Sequence, residues 1–175
     1  PDPDWMNVAA NIPVLKFPDG VTKEHAAYAG EGIKQADVNL LAYPLKEVTD
    51  PKAIRKDLEY YSTRVPNEGT PAMTQAVFTT LYARLGDADK AYFWFKEAYV
   101  PNLNPPFRVI AETKGGTNPY FATGAGGILQ SVLMGFGGLE ITSEGIKQVK
   151  SVLPKNWRSL TITGAGPEHK TFTVK

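Results

Sequence analysis

The protein has 175 residues, enough for one domain with a hydrophobic core, and its 19 basic and 18 acidic residues leave a formal net charge of +1. Because the basic residues are scattered, the charge favours neither nucleic acid nor a membrane surface as a partner. Cysteine is absent and the two histidines, His25 and His169, are far apart, so we expect no disulfide, metal or cofactor. No apolar run approaches the roughly 20 residues that cross a bilayer.

The first part of the chain has the pattern of helices joined by loops rich in proline, glycine and asparagine. Residues 4–10 are typical of a short helix or of the end of a longer one. The next helix is predicted to begin at Asp50-Pro51, because aspartate is a good N-cap and proline suits the first helical position. Its apolar residues recur in steps of three and four, at Ile54, Leu58, Tyr61 and Val65.

Two further helices are predicted to form an αα-hairpin. The first begins at Pro71 with Thr70 as its N-cap, and Gly86 ends it before Asp87 caps the second. The apolar face of the first helix consists of Met73, Val77, Leu81 and Leu85, widened by Phe78 and Tyr82. That of the second consists of Ala88, Ala91, Tyr92, Phe95, Ala98 and Tyr99.

A last helix is predicted at roughly 125–136, and after Gly137-Gly138 the apolar period changes to two, which is typical of strands. The alternating pairs are Leu139 and Ile141, Leu160 and Ile162, and Phe172 and Val174. We therefore predict a mainly α chain with a C-terminal β part. The predicted division is a helical domain at 1–137 and a small antiparallel β-domain at 138–175.

The loop at 107–116 is the first candidate for chemistry. A short apolar run there leads to one carboxylate, Glu112, and then to a glycine-rich segment. Inverting glycosidases need two carboxyl groups, one to protonate the leaving oxygen and one to activate a water on the opposite face of the sugar. Glu112 is a candidate for one of them, and the alternative is a surface glutamate that pairs with Lys114.

Three other segments carry candidate residues with open alternatives. Lys34 and Gln35 offer neighbouring donors and an acceptor for sugar hydroxyls, or they are solvated while Asp37 caps a helix that starts at Val38. Glu68 is a site candidate in a loop that is otherwise explained as a helix entry. The glycine-rich residues 123–127 are a tight loop with close backbone approach, or they present polar backbone groups to a ligand.

Several blocks of sequence together resemble glycoside hydrolase family 65. They are Ile-Lys-Gln-Ala-Asp-Val at 33–38, Glu-Gly-Thr-Pro-Ala-Met-Thr at 68–74, Phe-Arg-Val at 107–109, and Phe-Ala-Thr-Gly-Ala-Gly-Gly at 121–127, followed by Gly-Phe-Gly-Gly-Leu at 135–139. The resemblance extends from about Trp5 to the end. It implies part of an (α/α)6 barrel followed by a C-terminal β-domain.

That family contains trehalases, α-1,2-glucosidases of the kojibiose type, a glucosidase of glucosylgalactosyl-hydroxylysine in collagen, and disaccharide phosphorylases. The resemblance implies that Glu112 is the general base of an inverting hydrolase and that Lys34 and Gln35 contact the glucose to be released. Phosphorylases of the family lack that glutamate and have a phosphate-binding loop there, so Glu112 favours hydrolysis.

The resemblance also implies that the general acid lies outside this chain. We therefore expect a C-terminal portion of a longer enzyme, with its N-terminal segment and a small α-glucoside such as kojibiose as partners. A periplasmic or secreted location is expected only because it is usual in the family. Two alternatives stay open: an inverting disaccharide phosphorylase of the same family, and a non-catalytic sugar-binding helical module.

Overall fold

The structure, a computed structural model, describes residues 2–66, 70–118 and 120–175. Within these residues the α-helices are Pro3–Asn11 (α1), Asp37–Leu40 (α2), Pro51–Ser62 (α3), Ala72–Arg84 (α4), Ala88–Tyr99 (α5) and Ala122–Gln130 (α6). A 3-10 turn at Val100–Asn102 follows α5, and a π-helical turn at Ser131–Phe136 continues α6. The strands are Leu103–Asn104 (β1), Val109–Ile110 (β2), Leu139–Thr142 (β3), Gly145–Gln148 (β4), Leu160–Ala165 (β5) and Lys170–Val174 (β6).

The predicted caps of α3 and α5 are confirmed. The Asp50 carboxylate accepts hydrogen bonds from two N–H groups in the first turn of α3, and the Asp87 carboxylate accepts one from the N–H of Lys90 at 3.1 Å. Gly86 between α4 and α5 has a φ of +82°, the left-handed conformation that ends a helix. These local signals place the αα-hairpin where the sequence predicted it.

The predicted start of α4 is wrong by one residue. Pro71 itself is the N-cap residue, and Thr70 donates its hydroxyl to the carbonyl oxygen of Pro66 instead of capping the helix. A bridge between Pro71 and Thr113 explains the shift, because it holds the residue before α4 in an extended conformation. Thus the start of α4 is attached to the loop that carries Glu112.

Helix α4 is buried on more sides than the predicted apolar face requires, since it packs against α5, α6 and the π-helical turn. The threonines among its buried residues satisfy their hydroxyls on carbonyl oxygens: Thr79 donates to Gln75 at 2.9 Å and Thr80 to Ala76 at 3.1 Å. Conversely, Met73 and Val77 are only partly buried. The spacing of the apolar residues therefore predicted the wrong centre for the buried face of α4.

The segment 123–127, predicted as a tight loop, is helical and belongs to α6. Its close backbone approach is nevertheless present. A Cβ on Gly127 would lie 3.0 Å from the Cβ of Ala76, and one on Gly135 would lie 3.1 Å from the Cα of Thr80. Glycine at these positions therefore lets α6 and the π-helical turn pack directly on the backbone of α4.

The strands after residue 138 are antiparallel, as predicted, but they form separate pairs instead of one sheet. Strands β3 and β4 pair with Ile141 opposite Ile146, and β5 and β6 pair with Ile162 opposite Phe172. A third short pair joins β1 to β2 within the loop before Glu112. The chain is therefore helix-rich with small antiparallel sheets near its C-terminus; its place in an (α/α)6 barrel stays a prediction.

The helices and the C-terminal strands are joined by an aromatic cluster and by one arginine. Phe136 is fully buried between Phe95 and Trp157, at ring centroid distances of 5.4 and 5.1 Å. The Arg84 guanidinium donates to the carbonyl oxygens of Met134 and Leu139 and pairs with Glu140 at 3.3 Å. The division at 137/138 stays a prediction, although these contacts cross it.

The charge on Glu140 is fixed by its cationic neighbours. A hydrogen bond from Lys46 is the main reason that the pKa of Glu140 lies below its usual value, and the charges of Lys46 and Arg84 lower it further. Glu140 therefore serves as an anionic bridge at the junction. Among the residues that the structure describes, no helix is long and apolar enough to cross a membrane.

Candidate active site

The Glu112 side chain lies beside Lys34. The distance from its Oε1 to the Nζ of Lys34 is 3.4 Å, and the two side chains are 32% and 64% exposed. Within the described residues, no ion pair links Glu112 to Lys114, the partner that the surface alternative required. Two segments that the sequence singled out for separate reasons thus meet in space.

Hydrogen bonds fix the backbone at Glu112 from two directions. The N–H of Ala72, at the start of α4, donates to the Glu112 carbonyl oxygen at 3.0 Å. The side-chain amide of Asn102 donates to the same oxygen at 3.0 Å, and the Asn118 side chain accepts from the Glu112 N–H at 3.3 Å. The glutamate is therefore presented by a fixed turn although it lies outside any regular element.

Lys34 and Gln35 are held by buried residues on both sides. Ile33 and Ala36 are buried, and the N–H of Ile33 donates to the Arg64 carbonyl oxygen at 3.0 Å. Thr74 in the first turn of α4 donates its hydroxyl to the Lys34 carbonyl oxygen at 2.8 Å. Consequently α4 contacts the backbone of both Lys34 and Glu112, and it sets the distance between them.

Gln35, the neighbour of Lys34 in the chain, lines a cavity of about 420 Å³. Its walls combine apolar side chains with polar groups that donate or accept hydrogen bonds, as a site for a sugar needs, because a sugar ring has hydroxyl groups around apolar C–H faces. The lining residues are Gln35, Ala36, Asp37, Leu40, Met73, Thr74, Val77, Thr123, Gly126, Gly127 and Gln130. A second cavity, of about 340 Å³ beside Arg84 and Glu140, contains none of the candidate residues.

Asp37 and Glu68 are the remaining acidic candidates. Asp37 is the first residue of α2 and lines the cavity; it is not the cap of a helix that starts at Val38, because the N-cap position belongs to Ala36. Glu68 lies outside the described residues. Within the described ranges no group of three or more His, Asp or Glu side chains is placed to hold a metal ion.

Sequence reasoning missed Asn102, Thr74 and Gln130. Asn102 and Thr74 act through hydrogen bonds to residues distant in sequence, and Gln130, the last residue of α6, lines the cavity. Residue type alone predicts exposure for asparagine and threonine, whereas Asn102 is 1% exposed in the structure. That burial is visible only in the folded chain.

The chain is similar to known proteins of one family. The profile of the Glycosyl hydrolase family 65 central catalytic domain matches residues 21–111, a range that ends one residue before Glu112. The chain is 76% identical over 174 residues to a kojibiose hydrolase of Mucilaginibacter mallensis, covering 99% of this chain and 26% of that protein. It is 64% identical over 172 residues to a kojibiose hydrolase of Flavobacterium johnsoniae, covering 98% and 25%.

A more distant relative is the protein-glucosylgalactosylhydroxylysine glucosidase of Dictyostelium discoideum, which is 36% identical over 173 residues and covers 97% of this chain and 24% of that protein. The chain thus spans about a quarter of the length of these relatives. The profile match covers more than half of the chain and includes Lys34, Gln35 and the helices that position them. The chain belongs to glycosyl hydrolase family 65.

Proposed function

We propose that this chain is part of an inverting α-glucosidase in which Glu112 is the general base. The observation that carries the proposal is the position of Glu112: a partly exposed carboxylate on a fixed turn, 3.4 Å from the ammonium of Lys34, whose neighbour in the chain, Gln35, lines a cavity. The phosphate-binding loop expected of a phosphorylase would replace Glu112.

In the proposed reaction a water molecule attacks the anomeric carbon from the face opposite the leaving oxygen. Glu112 accepts a proton from that water as the new C–O bond forms. The glycosidic C–O bond breaks, and a general acid outside this chain gives its proton to the leaving oxygen. Lys34 and Gln35 donate hydrogen bonds to the glucose hydroxyls, and proton exchange with solvent restores both carboxyl groups.

The proposed chemistry places a second carboxyl group across the sugar, roughly 6.5–9.5 Å from Glu112, in a segment of a longer enzyme. Two observations support such an enzyme: the chain spans about a quarter of its relatives' length, and α1 buries none of its residues while exposing Trp5, Met6 and Val8. We propose that the segment that completes the site covers this apolar face of α1.

Kojibiose, the α-1,2-linked disaccharide of glucose, is the proposed substrate. The support is the identity of 76% and 64% to two proteins named kojibiose hydrolase, against 36% to a glucosidase with another substrate in its name.

We expect the full-length protein to release β-glucose first from kojibiose, at a rate that does not depend on phosphate. Proton NMR during the first minutes resolves the anomers before mutarotation, and the same assay with added phosphate detects any glucose phosphate. Phosphate-dependent release would establish the phosphorylase alternative instead. No glucose from any α-linked glucobiose would favour the non-catalytic binding module.

The cavity beside Gln35 is proposed to hold part of the glucoside, and Gly126 allows a direct test. A Cβ on Gly126 meets nothing within 4 Å, so Gly126→Leu places an apolar side chain at the wall of the cavity and improves the helix propensity of α6. We expect KM for kojibiose to rise about tenfold or more, since a tenfold change costs only about 1.4 kcal/mol of binding. The matched control is Ala122→Leu, on an exposed position of the same helix outside the cavity; an unchanged KM in Gly126→Leu would refute this assignment.

A further inference from the structure

The backbone that presents Glu112 is held by one buried amide. Asn102, at the end of the 3-10 turn after α5, is 1% exposed. Its Nδ2 donates to two successive carbonyl oxygens, that of Ala111 at 3.2 Å and that of Glu112 at 3.0 Å. The main-chain carbonyl oxygen of Asn102 accepts a hydrogen bond from the N–H of Ala111 at 2.8 Å. Asn102 therefore forms hydrogen bonds with the peptide groups on both sides of the Glu112 Cα.

Regular structure does not provide this support. Strand β2 ends at Ile110, two residues before Glu112, so the β1–β2 ladder does not extend to the glutamate. Carbonyl groups that leave a ladder need other donors when they are buried. A primary amide supplies two N–H donors from one nitrogen, which a serine, threonine or aspartate at position 102 would not.

The orientation of these peptides decides where the carboxylate points. A general base must be held within about 0.5 Å of its working position, and a displacement of about 1 Å can cost roughly 10²-fold in rate. The Ala72 N–H also holds the Glu112 carbonyl oxygen, but Asn102 is the group that bonds both the Ala111 and the Glu112 carbonyls. Loss of the Asn102 amide would leave the Ala111–Glu112 peptide with one hydrogen bond, from the Glu112 N–H to the Asn118 side chain, and the peptide could rotate about it.

We propose that Asn102 is a positioning residue for catalysis, which orients the Glu112 carboxylate toward the attacking water by holding these two carbonyls. This inference rests on the proposed role of Glu112. Asn102 is buried beneath the turn and acts through the backbone. Asn102 therefore affects the rate of water attack, whereas the contacts of Lys34 and Gln35 with the sugar do not depend on it.

The test is Asn102→Ala in the full-length protein, measured with kojibiose. We expect kcat to fall about 10- to 100-fold while KM changes less than about threefold, because the base moves and the sugar contacts do not. Asn104→Ala is the matched control: Asn104 donates its amide to the Gly116 carbonyl oxygen at 2.7 Å in the same loop and does not touch the Glu112 peptides. It should leave kcat within about twofold. Asn102→Ser, which keeps one donor, is the second variant if Asn102→Ala does not fold.

A double-mutant cycle separates positioning from a general effect on the fold. If Asn102 acts through the carboxylate, Asn102→Ala should lower the residual kcat of Glu112→Gln by less than about twofold. Equal losses in both backgrounds, or a loss no larger than that of Asn104→Ala, would overturn the inference. Near-normal turnover of Glu112→Gln itself would instead remove the proposed function, so the two failures are distinguishable.

Discussion

Replacing Glu112 with glutamine in the full-length protein should lower kcat for kojibiose by about 10²–10⁴-fold, the usual contribution of a general base. Glutamine has nearly the same size, and its side-chain oxygen can face the Lys34 ammonium as the carboxylate does, but the amide does not accept a proton from water. The backbone bonds from Ala72 and Asn102 to residue 112 do not depend on the side chain. We therefore expect the fold and KM to stay close to those of the unmodified enzyme.

Glu144→Gln is the matched control for this experiment. Glu144 is exposed in the turn between β3 and β4 and pairs with Lys147, so the substitution removes the same charge away from the site. Steady-state kinetics and a thermal melt should be recorded for both variants. Glu112→Gln with turnover near that of Glu144→Gln would reject Glu112 as the base, and a large fall in melting temperature would attribute lost activity to the fold.

The largest expected effect on stability is that of Phe136→Ala, which should lower the free energy of unfolding by about 3–5 kcal/mol. Phe136 is fully buried, and its ring packs edge-to-face on Phe95 and in a tilted arrangement on Trp157. Truncation would leave a cavity where the π-helical turn meets α5 and the segment before β5. Ser151 also donates its hydroxyl to the Phe136 carbonyl oxygen, so local rearrangement is restricted.

The control for this prediction is Phe107→Ala, because the Phe107 side chain is 85% exposed and loses little packing. Chemical denaturation followed by tryptophan fluorescence measures both variants, and Trp157 reports directly on the cluster. If Phe136→Ala unfolded at the same denaturant concentration as Phe107→Ala, the aromatic cluster would not be what joins the helices to the C-terminal strands.

The sequence by itself determined the elements whose signals are local. The Asp50 and Asp87 caps, the left-handed Gly86 and the helical steps of α3 and α5 depend on residues within one or two turns, and the structure confirms them. The alternating pairs after residue 138 predicted strands for the same reason. The family could also be recognised, since its motifs are short runs of residues whose spacing is visible in one dimension.

Only the tertiary structure decided which of these residues meet. The contact of Lys34 with Glu112 and the hydrogen bonds of the Asn102 amide to two carbonyl oxygens join positions that no periodicity relates. Gly124 and Gly127, in a segment that locally predicts a loop, lie in a helix that packs against α4, where a Cβ on either would lie 3.0 Å from the Cβ of an alanine. Caps and turns are selected by nearby backbone groups, whereas burial and the geometry of a site depend on the whole set of packed neighbours.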